Sequence, residues 1–345
     1  MYKKIFMGIA AVAALTLVSC SSDDLNSLSD NSSKNEAISF DGYWGRSAVS
    51  VNGSRGSVID KAEDLQKVSE GFGVFGNYSS TDGEAFGSNL FENQKVTYST
   101  KETKWTYSPK KYWSPQGHID FLAYAPHVEG TTLKNTSCIE FTVADNAADQ
   151  KDLLWANAAN QTKANNSGIG KKVNFKFAHA LSRLGYTVKT DLTSSSDVTI
   201  TLKKITLAGS KDGIQKAFYP KGTINLSTGV WTPSTTDEKQ NFVWLSTDKT
   251  LDSDTKNSDK EYLFVIPQNF SKTEENADAL FVIVEYTIKY GDEKPVTYTV
   301  SSQLKQNFEQ GTAYSINLTL GLTPIEFDAD VTGWKNTEEK DVYWN

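Results

Sequence analysis

From Ile38 to the end of the chain, apolar and polar residues alternate with a period of two through segment after segment. KWTYSP, HIDFLAYAP, IEFTV, VNFKFAH, LGYTVKT, VTITLKKITLAG, EYLFVIPQ, ALFVIVEYTIKY, VTYTV and AYSINLTLGL all read as strands, and turns rich in Gly, Asn, Asp and Ser separate them. In AYSINLTL the apolar residues Tyr314, Ile316, Leu318 and Leu320 share one face. Thr, Tyr, Val and Ile at this density suit a pleated, half-buried surface. One helix is predicted, in VIDKAEDLQKVSEG. Asp60 can cap it with Glu63 three residues on, Ala62, Leu65 and Val68 form its stripe, and Gly71 can end it. Short strands with frequent turn signals predict an all-β chain built of β-sandwiches. The most polar gap near the middle, TDLTSSSD (Thr190 to Asp197), divides it into residues 38–192 and 193–345.

The alternation changes parity once near the end. AYSINLTL has its apolar residues at even positions, whereas after GLTP they fall at Ile325, Phe327, Ala329 and Val331. A strand cannot change its buried face without a break, and the Gly and Pro supply one. TPIEFDADVTGW is therefore a separate last strand. Its IEFD nearly repeats ISFD at Ile38 to Asp41. Either the repeat is chance, since I-x-F is common in β-rich chains, or two segments of equal apolar spacing fill one groove in turn. The second reading requires the first copy to leave. The chain has three arginines, Arg46, Arg55 and Arg183, and two of them lie just after ISFD in GYWGRSAVSVNGSRGSV. Gly and Ser around them describe either a loop that a protease could cut or an ordinary loop with two charges.

The N-terminus is of another kind. Lys3 and Lys4 precede the apolar run IFMGIAAVAALTLV, which is too short to span a bilayer and reads as a secretory signal over residues 1–19. It ends in LVSC, and Cys20 is the expected lipidation site and new N-terminus. Residues 20–37, rich in Ser, Asp and Asn, form a flexible tether. Cys138 is the other cysteine, so a lipidated Cys20 leaves no intramolecular disulfide. The formal charge of −7 becomes more negative once the signal lysines are removed. An acidic surface argues against nucleic acid and against anionic membranes as partners.

Chemistry is sparse. His118, His127 and His179 stand in no metal-ligand pattern, and no GxSxG elbow is present. GFGVFG (Gly71 to Gly76) lacks the Lys and following helix of a phosphate loop. Asp120 is spaced to pair with His118, which is more often a satisfied core pair than a catalytic one. No enzyme, metal or cofactor is expected. Eight tryptophans raise the alternative of a non-polymerising surface lipoprotein that binds glycans through exposed aromatics. Most aromatics alternate with core residues. Trp113 and Trp231, beside Pro and Gly, are the best placed to be exposed.

The run of segments resembles the fimbrillins of Bacteroidales-type (type V) pili, in the Mfa-like branch. The resemblance rests on LVSC, ISFDGYWGR, SRGSV, FGVFGNY, KWTYSPKKYWSPQGHIDFLAYAP, DLLWA, FKFAHALSRLGYTV, FVIPQ and GTAYSINLTLGLTPIEFDADVTGW, in this order. It implies two transthyretin-like β-sandwich domains in tandem and a precursor carried to the cell outer membrane as a lipoprotein. It also implies an arginine-specific, trypsin-like protease that removes the first strand with its lipid. The C-terminal strand of the next pilin subunit then fills the groove in a head-to-tail polymer, the pilus (fimbria), that supports adhesion. Carried onto this chain, Arg55 in SRGSV fits the cut best and Arg46 second. The donor strand is Ile325, Phe327, Ala329 and Val331, with Trp334 beyond. Other implied partners are the lipoprotein signal peptidase and a host or bacterial surface ligand.

Overall fold

A computed structural model describes residues 37–44, 59, 62–166, 171–192, 197–245, 248–251, 262–272, 278–322, 326–332 and 340–342. The protein is almost entirely β. In the first half the strands are β1 (Phe40–Trp44), β2 (Phe72–Ser79), β3 (Phe91–Ser99), β4 (Lys104–Thr106), β5 (His118–Ala125), β6 (Cys138–Thr142), β7 (Leu154–Gln161) and β8 (Val173–His179). Then follow β9 (Ser182–Thr190), β10 (Val198–Ala208), β11 (Lys221–Asn225), β12 (Trp231–Pro233), β13 (Phe242–Leu245), β14 (Lys249–Leu251), β15 (Leu263–Val265) and β16 (Gln268–Asn269). The last are β17 (Phe281–Tyr290), β18 (Val296–Gln303), β19 (Asn307–Phe308), β20 (Ala313–Leu320), β21 (Glu326–Thr332) and β22 (Lys340–Val342). The expected helix is the six-residue α1 (Ala62–Lys67), and a single turn, α2 (Lys163–Asn166), follows β7. Gly71, with φ +66°, turns the chain from α1 into β2 where a Cβ would lie 2.0 Å from the carbonyl oxygen of Val96. Only glycine fits that turn.

Strands β1-β8-β7-β5-β2-β3-β4 make one sheet, in that order. A second sheet runs β13-β10-β17-β18 with β14 also on β10, a third β15-β9-β20-β21-β22, and β12-β11-β6 and β16-β19 are the others among the described residues. The run VTITLKKITLAG shows how sequence sets register. Its apolar residues change parity at the two lysines, and the ladder between β10 and β17 shifts between Leu202 and Lys204. That irregularity lets Ile200, Leu202, Ile205 and Leu207 all be buried.

Among the described residues, buried apolar side chains form two clusters. One draws on residues from Ile38 to Phe177, and Phe40, Phe72, Phe91, Phe121 and Phe175 fill it. The other holds the buried residues from Ala180 to Leu320, together with Phe75, Leu122 and Tyr124 from the first sheet. Strands β2 and β5 thus have one face in each cluster. That is why all eight residues of HIDFLAYA are buried and why the alternation there gives way to a continuous apolar run. The polar gap at Thr190–Asp197 joins β9 to β10, both of which feed the second cluster. Polar links also cross between the halves. Asn157 Nδ2 donates to the carbonyls of Leu226 and Ser227, and β6 pairs with β11.

Candidate functional site

The first strand occupies a slot. Ile38, Phe40 and Gly42 alternate inward and are buried, while Ser39 and Tyr43 face out. On one side β1 pairs in parallel with β8, Phe40 opposite Val173 and Gly42 opposite Phe175, and the Val173 amide donates to the Ser39 carbonyl at 2.8 Å. On the other side the Ile38 amide donates to the Lys111 carbonyl at 2.8 Å, and the Tyr107 hydroxyl donates to the Ile38 carbonyl at 2.7 Å. A single bridge joins Ala37 to Tyr112. β1 thus bridges β8 and the segment after β4, and its removal would expose the backbone groups that pair with it on both sides.

Phe40 is the centre of this arrangement. It is 2% exposed, and four rings surround it at centroid distances of 5.4 to 5.7 Å: Tyr107, Phe91, Phe121 and Phe175. Tyr107 and Phe91 also touch each other at 5.7 Å, and Phe121 reaches Phe175 at 6.3 Å, so the cage stands by its own ring contacts. Two residues further on the fit is tight. A Cβ on Gly42 would meet Leu65 and Phe177 at 3.2 Å. At the rim Asp41 pairs with Lys172 at 3.2 Å. Burial pushes the Tyr107 hydroxyl up to about 12.

Past β1 the next described residue is Ile59, which is 1% exposed. Its amide reaches Asp152 Oδ2 at 3.4 Å, and His179 Nδ1 lies 2.9 Å from the same oxygen. Both proposed cut positions, Arg46 and Arg55, fall between these anchors and lie outside the described residues, as do Cys20, Ile325 and Trp334. The third arginine is held differently. Arg183 is buried in β9, its amide donates to the Thr312 carbonyl at 3.0 Å, and its guanidinium lies 4.4 Å over the ring of Tyr262.

The tail carrying Phe327, Ala329 and Val331 is strand β21, as the parity change predicts. It pairs antiparallel with the chain's own β20, from Ala313 opposite Thr332 to Thr319 opposite Glu326. In this form of the molecule both the first strand and the tail are paired within their own chain, β1 against β8 and β21 between β20 and β22. Sequence reasoning missed Tyr107, Lys111, Lys172 and Val173, which hold β1. The aromatic density of KWTYSPKKYWSP and VNFKF was the available signal.

The other candidates resolve simply. His118 Nε2 and Asp120 Oδ2 are 3.2 Å apart, and the carboxylate also accepts the amides of Ala85 and Asn160 at 2.6 Å, which fixes two loops. Among the described residues no group of three or more His, Cys, Asp or Glu is placed to hold a metal. The expectation of exposed tryptophans is corrected. Trp113 is 2% exposed and packs edge-on to Phe121, and half-buried Trp231 donates its indole N–H to the Ala180 carbonyl at 2.6 Å. Their Pro and Gly neighbours shape the backbone, but the gain from burying an indole decides where the side chain goes. Exposed aromatics among the described residues are the tyrosines 43, 112, 290 and 298. Tyr112 lines a groove of about 540 Å³ with Tyr78, Asn89 and Leu90.

Residues 61–334 match the fimbrillin-like family. Comparison with curated proteins finds no match. A fimbrial protein from Bacteroides vulgatus is similar in fold, with a TM-score of 0.67 at 21% identity over 87% of this chain and 100% of the other. A candidate cell adhesion protein from Bacteroides uniformis gives 0.50 at 17% identity over 87% and 99%. The fimbrial anchor protein Mfa2 from Porphyromonas gingivalis gives 0.34 at 10% identity over 87% and 98%. With 274 consecutive residues matched to one family, and an all-β fold shared with a solved fimbrial protein, the chain belongs to the fimbrillin-like family.

Proposed function

We propose that the chain is a structural, non-catalytic subunit of a cell-surface pilus that supports adhesion. In this reading it is exported as an outer-membrane lipoprotein through Cys20 and cut by an arginine-specific protease at Arg55, with Arg46 as the second choice. It then joins its neighbours by replacing β1 with the tail of another copy. The observation that carries this is the slot: a short strand, N-terminal to both candidate arginines, supplies Ile38 and Phe40 to the middle of a core. Each contributes about 1.5–3 kcal/mol gross by burial, and each backbone bond adds roughly 0.5–1.5 kcal/mol net. A cut alone therefore leaves β1 in place, and an incoming strand has to compete for the same pockets. An incoming strand would restore the edge pairing, which is β-augmentation. A tail donated to the next copy makes a head-to-tail contact, which grows into a filament and not a closed ring.

The tail must first leave β20. That strand keeps its other neighbour, β9, through an eight-residue parallel ladder, so the donor's own body survives the loss. The test follows from this. Full-length precursor and a chain ending at Leu322 are treated with an arginine-specific protease and followed by electrophoresis without heating. The full chain is expected to give a ladder of oligomers, and the shortened chain a folded monomer. If the shortened chain forms the same ladder, the donor role is wrong. A cut full-length chain that stays monomeric would favour the second reading, a non-polymerising glycan-binding lipoprotein, for which the Tyr112 groove is the place to look.

A further inference from the structure

Resting on the strand-exchange reading above, we propose that the incoming tail enters the slot in one orientation and one register. It runs parallel to β8, with Ile325 in the place of Ile38, Phe327 in that of Phe40 and Ala329 in that of Gly42. Asp328 then takes over the ion pair of Asp41 with Lys172.

Two adjacent inward positions of the slot impose this. Position 40 is a cage of four rings built around a phenyl side chain, which an aromatic residue fills best. At position 42 an added Cβ already stands 3.2 Å from Leu65 Cδ2 and Phe177 Cε2. An alanine there needs those two side chains to give by a few tenths of an ångström, and anything larger would drive into both. The inward set of the tail reads Ile325, Phe327, Ala329, Val331. It has one aromatic, followed by one small residue. Entered parallel to β8 with Phe327 in the cage, it puts Ala329 at the tight position. Entered in reverse with Phe327 in the cage, it puts Ile325 there. A parallel slip of two residues puts either Phe327 or Val331 at position 42 and Ile325 or Ala329 in the cage. A slip of one residue turns Glu326, Asp328 and Asp330 toward the rings, which buries unpaired carboxylates. One arrangement survives, and it also returns an aspartate to the site 3.2 Å from Lys172 Nζ.

Cysteine cross-linking reads the register directly. Asp41 lies opposite Asn174 in the ladder, and Asn174 is exposed. In a full-length Cys138→Ser background, Asn174→Cys is combined in turn with Glu326→Cys, Asp328→Cys and Asp330→Cys, and the protein is cut, assembled and oxidised. The proposal expects covalent ladders from the Asp328→Cys pair at least tenfold above the other two. Ladders led by Glu326→Cys report the reversed strand or one slip, and ladders led by Asp330→Cys report the other slip. Either overturns the register while leaving strand exchange intact. Oligomers that form without cross-links from any pair overturn it too, because the tail then lies elsewhere. Absence of oligomers overturns both the register and the reading beneath it. As a second variant, Ala329→Leu should stop growth at the cut monomer, whereas Ala329→Gly should assemble. Equal assembly of the two would refute the tight fit at position 42.

Discussion

Phe40→Ala tests how firmly the slot holds its strand. The phenyl ring is 2% exposed, and its four ring neighbours come from the segment after β4 and from β3, β5 and β8. Truncating a buried Phe to Ala costs about 3–5 kcal/mol, more where the surroundings cannot collapse into the space. The cage rings also contact one another, which limits collapse, but β1 is a short strand of five residues at the end of its sheet order and can adjust. A loss of about 3 kcal/mol is therefore expected. Urea unfolding of the intact precursor measures it, with Tyr43→Ala as the control. Tyr43 sits on the same strand with 47% exposure and should cost within about 0.5 kcal/mol. The same loss should appear in the nicked protein as weaker retention of the cut strand. At about 1.4 kcal/mol per factor of ten, 3 kcal/mol weakens binding of the severed segment roughly 100-fold. Size-exclusion chromatography of the nicked protein, with mass spectrometry of the released peptide, reads this out. A loss under about 1 kcal/mol at unchanged m, or retention equal to the unmutated chain, would show that Phe40 does not anchor the strand.

Tyr107→Phe removes the hydroxyl that donates to the Ile38 carbonyl and should cost about 1 kcal/mol, measured by the same urea titration. Folding raises this hydroxyl to about 12, so the unmutated protein loses stability as pH climbs from 10 through about 12, and the phenylalanine variant should lose less over that window. Glu70 is held near 2 by the Lys151 ammonium at 2.8 Å, aided by the Ser69 hydroxyl. Its contribution is present above pH 4.5 and lost as pH falls toward 2. Because the pair is more than a third exposed, Glu70→Gln should change acid stability by less than about 1 kcal/mol, read as a small shift of the acid midpoint. Gly71→Ala places a Cβ 2.0 Å from the Val96 carbonyl oxygen at a φ of +66°. It should cost more than about 1 kcal/mol, seen as a lower thermal midpoint, and an unchanged midpoint would mean the turn before β2 relaxes freely.

Strand identity was legible because period-two alternation is a direct record of which face is buried. Tyr314, Ile316, Leu318 and Leu320 are buried as their spacing requires, and the parity change after GLTP marks a real break before β21. Pairing was not legible. Alternation carries no polarity, so nothing in ISFDGYW tells that Phe40 meets Val173 in a parallel ladder. Nor does it tell that β9 and β20, far apart in the chain, lie side by side. Trp113 shows a related limit. Flanking Pro and polar residues suggest exposure, yet the indole is needed to fill the first cluster beside Phe121. The slot escaped notice for the same reason. Its walls come from residues 107–111 and 172–177, which only the fold brings within reach of β1.

The setting of Arg183 has a practical outcome for the proposed processing by an arginine-specific protease. Its backbone lies in the ladder between β15 and β20 and its side chain under Tyr262, so neither the extended peptide nor the guanidinium is offered to an enzyme that reads arginine in a cleft. Of the three arginines in the chain, this one is immune for as long as the second cluster stays folded. Under the proposed processing, tertiary structure would make a residue-specific protease a site-specific one, and the enzyme proposed to license a sound subunit would shred a misfolded one.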